Sequence, residues 1–301
     1  MRGSTILTII LALLAILIVI LAVASWQWEP VAAYLLQDVD REEVTWHRWS
    51  VLVMEPEEAC QDCLQAALEG SGLVLAYTNP GYAEEWRSYW PLIRGEPWVH
   101  EETVYEGEYY VEYWRGEWQA IMKAVIEDYL SRGYQGVYLD NVDAAIILKE
   151  ENPSWLDGHD PVEEMINLVC SLSRYAKNLN PEAKVYVNIG SATQLLYRQD
   201  FTTCIDGLLR EELWTMWTGD NATSPQDPEE TARALAALEH AVQKGKTVLV
   251  ADPVWDKAEA DNFCEKAWSH GLTPIPQPAW ASGYETPPLP EWCTQHPKSR
   301  G

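Results

Sequence analysis

The chain has 301 residues, with Lys+Arg 21 against Asp+Glu 46 and a formal net charge of -25. Nucleic acid and anionic lipid surfaces, which are held by clustered Lys and Arg, are excluded as partners on that balance. It is compatible with a cationic polymer, although solubility alone accounts for an acidic surface. The aromatic residues are Trp 16 and Tyr 15 against Phe 2. Trp and Tyr join an apolar face to a polar handle, the combination that stacks on the C–H face of a sugar ring, though most of them serve packing.

In chain order, the run Ile6 to Ala24 is apolar apart from Thr8 and carries no charge. About 19 helical residues cross a bilayer core. Residues 1–25 therefore read as a signal peptide, cut after Ala22-Val23-Ala24, or as an uncleaved signal anchor, with run length favouring the anchor. Either way the remainder is expected to be exported, membrane-anchored or secreted. Residues 26–45 read as a linker, 46–285 as one barrel-sized domain and 286–301 as a Pro-rich tail. Six cysteines suit an oxidising compartment. Cys60 and Cys63 form a lone CxxC with no second pair or His spacing to complete a zinc site, so structural disulfides are expected, with the pairing open. Asn221-Ala222-Thr223 is a glycosylation sequon.

Strands are expected at Trp49–Met54, Leu73–Tyr77, near Tyr109–Tyr113, and at Gly136–Leu139, Lys184–Val187, Ile205–Leu209, Thr247–Ala251 and Leu272–Ile275. Helices are expected at Glu57–Glu69, Ala83–Trp90, Gly116–Arg132, Pro161–Asn178, Ala192–Arg198, Pro228–Lys244 and Asp256–His270. Pro161 and Pro228 each follow an Asp that can cap the helix. Strands alternating with helices imply a parallel sheet, and the count fits an α/β fold of the (β/α)8 TIM-barrel type, preceded by the hydrophobic N-terminal helix. Neither G-x-G-x-x-G nor G-x-x-x-x-G-K occurs, and no cofactor is expected.

Active sites of such barrels lie at the C-terminal ends of the strands. The strand ends here carry Glu55, Tyr77-Thr78-Asn79, Asp140-Asn141-Val142-Asp143, Asn188, Arg210-Glu211-Glu212 and Asp252. No His falls in this ring, which argues against a His-based triad or a zinc site. A hard cation held by oxygens is the rival reading, but no metal is expected. Carboxylates without His fit glycoside hydrolysis, which needs one protonated and one ionised carboxyl across the scissile bond. Asp140 and Glu211 are the expected pair, with Glu212 able to exchange roles with its neighbour.

The segment Gly133-Tyr134-Gln135-Gly136-Val137-Tyr138-Leu139-Asp140-Asn141-Val142-Asp143 resembles the G-F-D-G-V-[FY]-L-D-x-[IV]-D signature of glycoside hydrolase family 114, the endo-α-1,4-polygalactosaminidase-like barrels. Five further blocks agree in order. They are Leu75-Ala76-Tyr77 with Gly81 and Ala83–Trp90, Gly107–Val111 with Trp114, Asn188 with Gly190, Asp206–Glu211, and Val248–Asp252. Two positions depart from the pattern, Tyr82 where the family often has Glu and Glu55 where it often has Asp. The resemblance implies an endo-acting hydrolase of α-1,4-linked galactosamine polymers. Asp140 would be nucleophile or electrostatic partner and Glu211 general acid/base, while Tyr77, Tyr138, Asp143, Asn188 and Asp252 would bind substrate. A non-catalytic carbohydrate-binding barrel of the cell envelope is the alternative. The expected partner is a polysaccharide, with the membrane as a second contact through an uncleaved N-terminal segment.

Overall fold

The computed structural model describes residues 30–37, 39–219, 222–281, 287–289 and 291–293. The segment 1–25, read as signal or anchor, lies outside them. Among the described residues no helix is long and apolar enough to cross a membrane.

The strands run in chain order as β1 (Ala32–Leu35), β2 (Val51–Met54), β3 (Val74–Thr78), β4 (Tyr82–Glu84), β5 (Val99–Glu102), β6 (Glu108–Val111) and β7 (Gly136–Leu139). They continue as β8 (Lys184–Asn188), β9 (Gly207–Glu211), β10 (Thr215–Gly219), β11 (Ala222–Pro225), β12 (Thr247–Val254) and β13 (Thr273–Pro278). Eight of them form one sheet in the order β1-β2-β3-β7-β8-β9-β12-β13, with every pairing parallel. Residues of β1 and β13 come within 8 Å, Cα to Cα, so the sheet nearly closes into the TIM barrel that the sequence implies.

Period-2 alternation divides the strand residues between two cores. In β12, Leu249 and Ala251 join the interior cluster with Tyr34, Tyr77, Tyr138 and Tyr186. Val248 and Val250 face the other way, into the larger core shared with the helices. The helices end where their caps dictate. Asp160 accepts from the Val162 amide at 3.0 Å ahead of Pro161–Leu179, and Asp227 accepts from the Glu229 and Glu230 amides at 2.8 and 3.0 Å ahead of Pro228–Gln243. Gly133 closes Gly116–Arg132 in the left-handed conformation, the role expected of a glycine there.

Three expectations need correction. The stretch near Tyr109–Tyr113 is no barrel strand: β6 is the centre of a separate three-stranded antiparallel sheet, β4-β6-β5. The missing barrel strand is β1, inside the 26–45 stretch read as a linker. Its four residues are buried on both faces, so they show no alternation, and a run that short does not announce itself by periodicity. Ala83–Trp90 is not a helix but β4, a turn and then the short helix Trp90–Ile93. Glu84 and Arg87, which look like an ion pair on a helix surface, are both buried and turn inward.

The cysteines pair as Cys60–Cys63, Cys170–Cys204 and Cys264–Cys293. The last of these fastens Trp292 and Cys293, both buried, to the helix Lys257–Ser269, so part of the tail packs on the barrel.

Candidate active site

Inward parity carries to the strand ends and, at β2 and β7, one residue beyond them. Tyr77 continues the inward set of β3 after Leu75, Asp140 that of β7 after Tyr138, Asn188 that of β8 after Tyr186 and Glu211 that of β9 after Leu209. Glu55 does the same after Val53. All five line one cleft at the C-terminal mouth of the barrel, which encloses about 590 Å³.

Asp140 is the most elaborately held of them. The Tyr77 hydroxyl donates to its Oδ2 at 2.7 Å, the Asn141 amide to its Oδ1 at 2.9 Å, and the Tyr34 hydroxyl approaches Oδ2 at 3.5 Å. The Asn188 side chain bonds it as well. Asn188 Oδ1 accepts from the Gly190 amide at 3.1 Å, which leaves its NH₂ to donate. Burial raises the Asp140 carboxyl above its ordinary value, and these donors oppose the rise by stabilising the anion.

One residue after Asp140 and Glu211, and two after Asn188, the backbone is unusual. Asn141 and Glu212 have φ of 53° and 54°, and Gly190 has 43°. A left-handed residue there turns the chain sharply off the rim, and for Asn141 and Glu212 this stores strain. It also separates the two neighbouring glutamates. Glu211 lines the cleft, whereas Glu212 Oε1 accepts from the Trp217 amide at 2.9 Å and anchors the β10 hairpin.

Behind Asp140 lies a buried ionic cluster. Arg87 forks onto Glu55, Nη1 to Oε1 at 2.7 Å and Nη2 to Oε2 at 2.8 Å, while its Nε donates to Glu84 Oε2 at 2.5 Å. The Asn79 amide donates to Glu84 Oε1 at 3.2 Å, and the Arg87 guanidinium stands 5.5 Å from the centre of the Tyr77 ring. Burial pushes Glu84 above the ordinary carboxylate range against the pull of Arg87. The cluster fixes the phenol that donates to Asp140.

Three of the expected site residues lie elsewhere. Tyr138 is fully buried one layer below Asp140, its ring 6.2 Å from that of Tyr77 and 5.2 Å from that of Tyr34. Asp143 sits outside the cleft, where Oδ2 accepts from the Ser191 amide at 2.9 Å and hydroxyl at 3.3 Å. Asp252 is fully buried, and its carboxylate accepts the amides of Leu213, Trp214 and Thr215 at 2.7, 2.8 and 2.9 Å. It follows inward-facing Ala251, so parity turns it away from the barrel axis. Asp143 and Asp252 shape the loops after β8 and β9 that present Asn188 and Glu211.

The sequence reading missed Tyr34, Glu84, Trp86, Arg87, Tyr105 and Glu108, all of which line the cleft. The signal for four of them lay in the blocks Ala83–Trp90 and Gly107–Val111, obscured by the helix assigned to the first and the barrel strand assigned to the second.

The profile of glycoside-hydrolase family GH114 matches residues 22–282. An uncharacterised protein of Thermotoga maritima is 24% identical over 259 residues, covering 80% of this chain and 78% of that one. One from Deinococcus radiodurans is 27% identical over 215 residues, 70% and 65% of the two chains. Among solved structures, the glycoside hydrolase domain of PelA from Pseudomonas aeruginosa superposes with a TM-score of 0.66 at 14% identity, over 86% of this chain and 99% of that domain. Aspergillus fumigatus Ega3, solved in complex with galactosamine, gives 0.57 at 14% identity, over 85% and 92%. These two likenesses speak to the fold. The profile match spans nearly all of the described barrel, and the chain belongs to glycoside-hydrolase family GH114.

Proposed function

We propose that this glycoside hydrolase cleaves an aminosugar polysaccharide, an α-1,4-linked galactosamine polymer or its partly acetylated form, with Asp140 and Glu211 as the carboxyl pair. The observation that carries the reading is that both side chains, Asp140 just after β7 and Glu211 at the end of β9, line one mouth cleft in which Asp140 is buried and hydrogen-bonded as an acceptor. Glu211 protonates the leaving glycosidic oxygen as the bond to the anomeric carbon breaks. Asp140, whose anion is stabilised by Tyr77, Asn141 and Asn188 against the cost of burial, faces the positive charge that develops there. Water then completes the hydrolysis, giving its proton to Glu211. The galactosamine bound to the Ega3 neighbour supports an aminosugar substrate. The three disulfides support work outside the cytoplasm, with the chain anchored or released at its apolar N-terminal segment.

The test is reducing-end release from partly deacetylated polygalactosamine by wild type, Asp140→Asn and Glu211→Gln. Each variant should lose roughly 10²–10⁴-fold in kcat/KM. Absence of cleavage by wild type refutes the reading, and binding without cleavage returns the chain to the carbohydrate-binding alternative. Variants that match wild type refute the pair.

A further inference from the structure

The cleft is lined by six carboxyl groups, those of Glu55, Glu58, Glu84, Glu108, Asp140 and Glu211, against one basic side chain, Arg87. Arg87 is already committed to Glu55 and Glu84, and Asp140 is held by the donors described above. Glu108 is left without such provision: its Oε2 is buried and has no hydrogen-bond partner among the described residues. It also stands directly across the β4–β6 ladder from Glu84, and residues opposite one another in an antiparallel pair share a face. Two like charges at that spacing are unfavourable unless one carboxyl is protonated or a cation joins them. Beside Glu108 the wall is aromatic and open. The Trp86 indole lies over Gly107, where an added Cβ would come within 2.8 Å of its Cζ3, yet Trp86 is 52% exposed.

We infer that Glu108 recognises the free amine of the substrate, its carboxyl group, which lines the cleft, receiving the ammonium of a sugar whose ring lies on Trp86. This rests on the aminosugar hydrolase reading above and adds the residue that would choose between free and acetylated amines. An ammonium brings three donors and the missing positive charge. An N-acetyl group brings one N–H, no charge and a methyl group.

The groups facing Glu108 are Glu84 from β4, Arg87 from the turn after it, Asp140 at the end of β7, and Tyr82 and Tyr105. Burial and then the charges of Glu84 and Asp140 push its carboxyl up to about 8, with Arg87 pulling the other way. At neutral pH Glu108 therefore carries a proton, and docking an ammonium against it expels that proton to solvent.

The experiment compares wild type, Glu108→Gln and Glu108→Asp on fully deacetylated and on acetylated polygalactosamine by reducing-end release. Alongside, galactosamine is titrated calorimetrically at pH 6.5 in two buffers of different ionisation enthalpy. Wild type should prefer the deacetylated polymer and release about one proton per galactosamine bound. Glu108→Gln should raise KM for the deacetylated polymer about tenfold, the worth of one charge-assisted bond. It should raise KM for the acetylated polymer much less, so that the preference shrinks, and it should release no proton. Glu108→Asp should retain part of the preference, which a merely structural role would not predict. If wild type cleaves neither polymer, the hydrolase reading falls and this one with it. If wild type cleaves and Glu108→Gln keeps the preference and the proton release, only the role of Glu108 is overturned.

Discussion

Arg87→Met tests the buried ionic cluster directly. Arg87 is 5% exposed and makes three bonds to two carboxylates, each of which is also nearly sequestered. Bonds to charged partners contribute about 1.5–3 kcal/mol apiece, which sets a ceiling for the loss. Methionine refills most of the volume, and a carboxyl can protonate once its counter-charge is gone, so the expected destabilisation is about 3–5 kcal/mol at pH 7. The protonation gives the loss a signature. Glu84, already raised by burial, climbs further without Arg87. Between its ordinary value and that raised one, the folded variant binds more protons than the unfolded chain, so its stability falls as pH rises. Urea unfolding at pH 5.5 and pH 8 should therefore show a gap from wild type that narrows towards acid. Arg87→Met/Glu84→Gln should recover part of the loss at pH 8 by removing the orphaned charge. A variant within about 1 kcal/mol of wild type, or one whose deficit is the same at both pH values, would refute the account.

Glu108 gives wild type a slope of its own. Its carboxyl rises from 4.5 in an ordinary setting to about 8 when folded, so it favours the folded state below that window, and the benefit is lost as pH climbs through it. Melting temperature measured from pH 4.5 to 8.5 should fall less steeply in Glu108→Gln than in wild type. Cys170→Ser/Cys204→Ser opens a crosslink with a sequence separation of 34; the chain-entropy relation gives about 3–4 kcal/mol, or roughly 5–8 °C in Tm, and an unchanged melt would refute it. Gly190→Ala puts a Cβ 2.0 Å from Asp143 Oδ2 at φ 43°, which should cost about 2–3 kcal/mol. It should also lower kcat by displacing Asn188 from Asp140, and full activity in that variant would sever the proposed link between the two loops.

How far the site was legible can be traced through parity. Asp140 and Glu211 stand out because a short apolar strand ends on each, and both continue the inward-facing set of their strands. Asp252 also ends an apolar run, yet it is one residue out of phase with Ala251 and points away. Tyr138 has the right phase but sits a layer too deep; periodicity gives the face and not the height. Arg87 and Glu84 were beyond local reading, since three residues apart they look like a surface ion pair. Only the fold reveals that Glu55, 32 residues away, completes the cluster. For β1 the obstacle was different: burial on both sides erases the alternation that marks a strand.

The antiparallel insertion β4-β6-β5 shares no strand pairing with the barrel among the described residues. A barrel strand cannot be lengthened or shifted without disturbing the stagger of its neighbours, whereas this sheet sets its own register. Trp86, Tyr105 and Glu108 ride on the insertion or its connections, while Asp140 and Glu211 belong to the barrel. Relatives could thus exchange or resize the insertion and so change which polymer they grip, leaving the proposed carboxyl pair where it stands. The same division suits engineering, in which grafted insertions would be screened on a constant barrel.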